Sequence, residues 1–111
     1  MERYFENDPF ARVLRAFAVL FPGRPFRCEW GEGLTDVVGD EVYGTTDFFD
    51  DGRIPIITID CNLRVKDAVE VLAHELAHVA AGIGAGHGSA WEAAFELIHK
   101  EYCEIKLKKG R

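Results

Sequence analysis

The chain has 111 residues, 48% of them apolar and 12% aromatic, and a formal net charge of −6. That length suits one compact domain, is too short for two, and carries enough apolar side chains for a core, which disfavours disorder. The acidic balance argues against a chain that binds nucleic acid by charge as a whole. No apolar run approaches a bilayer span, and no basic-then-apolar leader follows Met1, so a cytoplasmic protein without a membrane partner is expected.

The first element reads as a helix. Asp8 is placed to cap it and Pro9 suits its first turn. Phe10, Val13, Leu14, Phe17, Leu20 and Phe21 then follow helical spacing until Pro22-Gly23 ends the run, and this stripe reads as core packing. The middle third reads as strand and loop. Phe26 to Trp30 is a short strand, and Val38 to Phe48 holds a second, loosened at Gly44. Asp51-Gly52 is a hairpin turn signal leading into Ile54-Pro55-Ile56-Ile57-Thr58-Ile59-Asp60, the best strand in the chain. Pro55 cannot donate a ladder bond, so this strand is expected to start at a sheet edge or to have one side open.

Two helices complete the chain. The first starts between Asn62 and Asp67, with Asp67 and Glu70 spaced as a capping pair, and runs to about Ala81. Gly82, Gly84, Gly86 and Gly88 stop it and permit a tight return. Ser89 and Glu92 are spaced as a capping box for the last helix, whose apolar stripe is Trp91, Phe95, Ile98 and Tyr102. Cys28, Cys61 and Cys103 are odd in number and form no C-x-x-C pair, so they read as reduced thiols. The basic tail Lys106-Leu107-Lys108-Lys109-Gly110-Arg111 reads as a solvated terminus, with a phosphate-contacting arm as the alternative.

The chemistry concentrates in His74-Glu75-Leu76-Ala77-His78, the H-E-x-x-H pattern on a helix, followed by His87. Residues four apart stack one turn above each other, so two imidazoles can grip one metal ion. A catalytic zinc site usually takes three protein ligands and keeps one position for water. His87, just past the glycine-rich turn, is the expected third ligand, with Glu96 or Glu92 as alternatives. Glu92 is better used in backbone capping, and surface placement accounts for Glu96 and His99. Glu75, beside the first ligand, is the expected general base for a metal-activated water. Tyr43 and Tyr102 are weighed as oxyanion donors, with packing the simpler role for both.

The run His74-Glu75-Leu76-Ala77-His78, then His87-Gly88-Ser89-Ala90-Trp91, resembles the SprT-like (Spartan-type) metallopeptidase core. That family pairs H-E-x-x-H with a downstream His-Gly and an aromatic three residues after the glycine, here Trp91. The resemblance covers roughly residues 54 to 98. It implies an α+β, zincin-like core spanning 1–111: an N-terminal helix, a small, mainly antiparallel sheet, the H-E-x-x-H helix and a C-terminal helix. It implies Zn2+ held by His74, His78 and His87, endopeptidase chemistry on a protein or peptide, and a strand near the site that receives substrate as an added strand, for which Ile54 to Ile59 is the natural choice. The short His78–His87 separation, the absence of a cysteine-rich zinc ribbon and the acidic balance depart from the pattern, so the family's DNA-associated substrates are not carried over. The alternatives are a non-catalytic zinc-binding interaction module and a peptidase acting on DNA-associated proteins.

Overall fold

The computed structural model describes residues 9–82 and 86–109, with side chains to residue 103. Asp8, Gly84 and the basic tail's side chains therefore lie outside the described residues. The elements run α1 (Pro9–Leu20), β1 (Arg27–Gly31), β2 (Gly44–Asp47), β3 (Ile56–Asp60), α2 (Val65–Ala81) and α3 (Ser89–Lys109). Among the described residues, no helix is long and apolar enough to cross a membrane.

Helix α1 follows the expected stripe. Val13, Ala16 and Phe17 are buried. Phe17 packs edge-on against Phe26, with ring centroids 5.3 Å apart, and beside Phe21 at 5.4 Å. Gly23 then turns the chain at φ +79°, a backbone angle that costs other residues more.

The sheet has the order β1-β3-β2 and is mixed. Strands β1 and β3 are parallel, with Arg27 opposite Ile56 and Gly31 opposite Asp60. Strands β2 and β3 are antiparallel, with Gly44 opposite Ile59 and Asp47 opposite Ile56. The mainly antiparallel sheet expected from the resemblance is thus corrected: one of its two ladders is parallel. The placement of Pro55 is corrected too. It precedes the ladder, where its carbonyl accepts the Arg27 N–H at 2.9 Å. A proline outside the strand leaves β3 free to pair on both sides, so β3 is central and its two edges are filled.

The second strand is shorter than the sequence implied. Residues 38–43 are held in a loop in which the Asp36 carboxylate accepts the Val38 and Asp40 N–H groups at 2.9 and 3.0 Å. That side chain offers the backbone an alternative to strand pairing. Between β2 and β3, Gly52 takes φ +87° at the expected turn, but residues 48–55 make a wider connection than a two-residue hairpin.

Helix α2 packs against β2, β3, α1 and α3. Ala68, Val69, Leu72, Ala73, Leu76, Ala77 and Val79 are buried along it, and the small alanines let neighbours approach closely. Ile57 and Ile59 of β3 and Ala94 and Ile98 of α3 complete the core. The cap differs from the expectation. Arg64 is the flanking residue and makes no side-chain capping bond. Asp67 lies inside the first turn, where its charge complements the helix dipole and accepts from Arg64 Nε at 3.3 Å. At the other end Gly82 donates to the His78 carbonyl at 2.9 Å, while the Arg24 guanidinium donates to the Ala80 carbonyl at 3.0 Å. These bonds satisfy carbonyls that a helix end leaves unpaired and fix the turn carrying His78. Helix α3 begins as expected at Ser89, its first turn closed by Glu92 N–H to the Gly88 carbonyl at 3.0 Å. Gly88, not Ser89, is therefore the flanking residue.

Candidate metal centre

His74 and His78 project from the same side of α2, one turn apart, next to Val71 and Glu75. His87 arrives from beyond the turn between α2 and α3. Its Nε2 lies 3.1 Å from His74 Nε2 and 3.1 Å from His78 Nε2. One nitrogen of each ring falls within 4.8 Å of the others. Two nitrogens each about 2.0–2.1 Å from a tetrahedral zinc ion stand roughly 3.3 Å apart, so this spacing fits a shared ion. The donor set also argues for one. The His87 Nε2 faces two other ring nitrogens at once, and one proton cannot satisfy both contacts, whereas a cation among them accepts all three lone pairs.

The surroundings favour the ligating form of His74 and His78. Desolvation lowers the pKa of His74, with the nearby His87 adding to the shift. Desolvation first, then His74 and His87, lowers that of His78 from 6.5 to about 4. Neutral imidazole is the form that binds metal. In the metal-free chain this shift gives a stability contribution with a definite sign. The folded pKa lies below the unfolded one, so the unfolded state binds the extra proton between them. The contribution is full above 6.5 and is lost as pH falls towards about 4. Metal-free wild type is expected to lose melting temperature across that window more steeply than His78→Gln. Parallel thermal melts at stepped pH check this; equal slopes would remove His78 as the cause.

Trp91 forms a wall against the three rings. Its ring centroid is 4.7 Å from those of His74 and His87 and 5.6 Å from that of His78. Its Nε1 donates to the His74 backbone carbonyl at 3.1 Å, which ties α3 to the helix turn bearing the first histidine. Phe95 stacks on Trp91, with interplanar angle 6°.

Among the described residues, Glu75 is the one charged residue buried in the core, 5% exposed. The Thr46 hydroxyl donates to its Oε1 at 2.7 Å, and its Oε2 stands 4.0 Å from His74 Nε2. Desolvation raises its pKa; the Thr46 bond opposes the rise and Asp47 adds to it. A carboxylate whose basicity is raised is a better proton acceptor near neutral pH. Thr46 is a partner of Glu75 that sequence reasoning missed. A lone threonine on a short strand gives no signal; only the packing of β2 against α2 brings it to a residue 29 positions away.

Gly44 makes that packing possible. A Cβ built there would lie 2.5 Å from Val71 Cγ1 and 3.2 Å from Glu75 Cγ and Oε2. Gly44→Ala is therefore expected to cost about 1–3 kcal/mol through overpacking and to displace Glu75. A lowered melting temperature checks it, and an unchanged protein would show that β2 can give way freely.

A cavity of about 540 Å3 opens in front of the three rings, with Glu41, Tyr43, Gly44, Glu70, Val71 and Phe95 among its walls. Tyr43 reaches this cavity. Tyr102 does not: its hydroxyl donates to Glu70 Oε1 at 3.1 Å in a separate cavity, where desolvation and Glu70 raise its pKa and keep it neutral. The oxyanion role weighed for Tyr102 is thereby withdrawn. Glu92 and Glu96 are exposed on α3, and His99 Nε2 faces Glu70 at 3.6 Å. Among the described residues, none of the three joins the histidine cluster.

No protein-family model, curated protein or solved structure matches the chain.

Proposed function

We propose that the chain is a zinc-dependent metallopeptidase of the SprT-like kind, in which His74, His78 and His87 hold the ion and Glu75 handles protons. The observation that carries this reading is the convergence of three imidazoles beside a buried carboxylate whose second oxygen lies 4.0 Å from His74 Nε2. When bound, the ion lowers the pKa of a water from about 15.7 to roughly 7 and polarises the scissile carbonyl.

The chain's own residues supply the rest. Thr46 holds one oxygen of Glu75 and so aims the other at the reacting water. Glu75 takes the proton of the attacking water and returns it to the leaving amine. Strand β2 is the edge strand beside Glu75. Tyr43 O accepts from Asp60 N at 2.9 Å, which sets the antiparallel alternation. Gly44 and Thr46 then direct their N–H and C=O groups away from β3. An extended substrate segment adds to the sheet along that edge, its backbone running past Glu75. This role moves from β3, whose two sides are paired, to β2. Among the described residues no strand pairs with the outer side of β2; such an edge accommodates chain on both sides of the scissile bond, which favours endopeptidase action.

A non-catalytic zinc module requires neither a buried Glu75 nor a hydroxyl holding one of its oxygens, so the catalytic reading is preferred. The test is cleavage of an unfolded protein by the zinc-loaded chain. Cleavage is expected to stop on chelation and to return on adding zinc, with the melting temperature falling and recovering alongside. A chain that binds zinc but leaves the protein intact would contradict peptidase action.

A further inference from the structure

A second cavity, about 410 Å3, lies among α1, α2 and α3, with Arg12, Lys66, Glu70, His99, Tyr102 and Cys103 on its walls. Three of these form a chain of contacts. Cys103 Sγ lies 3.8 Å from His99 Nδ1, and His99 Nε2 lies 3.6 Å from Glu70 Oε1. His99 and Cys103 are one helical turn apart on α3, so their side chains share a face, while Glu70 comes from α2. The order thiol, imidazole, carboxylate has a chemical direction. A carboxylate facing Nε2 favours the tautomer with its proton there, which leaves the Nδ1 lone pair towards the thiol. The imidazole can then take the thiol proton, and the carboxylate stabilises the cation formed. Arg12 and Lys66 place two cations on the same cavity's walls.

We propose that Cys103 is a base-activated thiol that undergoes exchange with a small disulfide bearing carboxylates, and that the resulting adduct occupies the cavity between Arg12, Lys66 and Glu70. In the step, His99 accepts the Cys103 proton and the sulfur attacks one sulfur of the disulfide. The new Cys103 S–S bond forms as the old S–S bond breaks. The departing thiolate carries the electron pair and is protonated from His99. Cys103 is oxidised and the released half of the disulfide is reduced. The carboxylates of the retained half meet Arg12 and Lys66. Glu70 also lines the metal cavity, so the adduct sits against a wall the two cavities share.

The other two cysteines are internal controls, since all three are free. Cys61 is exposed. Cys28 is also exposed, at the rim of a smaller cavity beside Phe10, Leu14 and Trp30, where desolvation pushes its pKa up to about 11 and lowers its thiolate fraction.

The experiment treats the full chain with glutathione disulfide and follows each cysteine by peptide mass. Cys103 is expected to react at least about tenfold faster than Cys61 and Cys28. His99→Gln is expected to remove that advantage. Arg12→Ala with Lys66→Ala is expected to slow the reaction with glutathione disulfide but not with neutral hydroxyethyl disulfide. Cys61 reacting as fast as Cys103 in the wild-type chain would overturn the proposal whether or not the variants fold. So would an undiminished Cys103 rate in folded His99→Gln. An equal effect of the Arg12 and Lys66 changes on both disulfides would overturn the anionic ligand class.

Discussion

Replacing Glu75 by glutamine is expected to lower peptide cleavage by about 100- to 10,000-fold, the range for loss of a general base, while zinc content stays at the wild-type level. Glutamine has the same shape and keeps an oxygen to accept the Thr46 hydroxyl, so the bond now 2.7 Å long can persist. It cannot take a proton from water. Glu75 is outside the group of converging ligand atoms, so the metal remains. Stability should hold or rise, because a residue 5% exposed whose charged form is penalised by desolvation is replaced by a neutral one. Activity falling while the melting temperature holds separates a chemical role from a structural one. Metal analysis, thermal melts and a cleavage time course on the same preparation decide it. Cleavage at the wild-type rate would remove Glu75 from the mechanism.

The second large effect is at His87. His87→Ala is expected to weaken zinc binding by more than about 100-fold, beyond what loss of an outer-shell partner costs, and to abolish cleavage. Two histidines one turn apart would remain, and among the described residues no further side chain joins their cluster. His87 is exposed and follows a glycine at φ +57°. The metal-free fold should therefore change little, as surface substitutions do, by about 0.5 kcal/mol or less. The contrast is the check. Wild type should melt higher with zinc than without, and His87→Ala should melt at the same temperature in both. A zinc-dependent rise equal to that of wild type would exclude His87 as a ligand.

The parts of this site legible from sequence are those set by local spacing. His74 and His78 share a face because of helical periodicity, and Glu75 is adjacent to the first by covalent connection. Placing His87 required only that the glycine-rich turn reverse the chain. The long-range partners were not legible. Thr46 and Gly44 reach Glu75 through the packing of β2 on α2, and no spacing rule connects them. The place of β3 at the centre of the sheet was hidden by Pro55, which argued for an edge until the strand proved to begin one residue later. The caps failed for a related reason. The Asp67–Glu70 and Ser89–Glu92 spacings both mimic capping pairs, but each helix starts at a different flanking residue, Arg64 and Gly88. Sequence gives the residue types suited to a cap, and tertiary packing chooses the turn at which a helix begins. The helices themselves were legible because their apolar faces repeat over several turns, as Val13 and Phe17 do in α1 and Leu72 and Leu76 in α2.

The most direct measurement of the central claim is X-ray absorption at the zinc edge on the zinc-loaded chain, with His87→Ala alongside. The expected spectrum has three imidazole ligands and one further light-atom ligand at about 2.0–2.1 Å, and one imidazole fewer in whatever zinc the variant retains. A wild-type spectrum with two imidazoles, with a sulfur ligand, or unchanged in the variant would contradict a site built by His74, His78 and His87 around one ion.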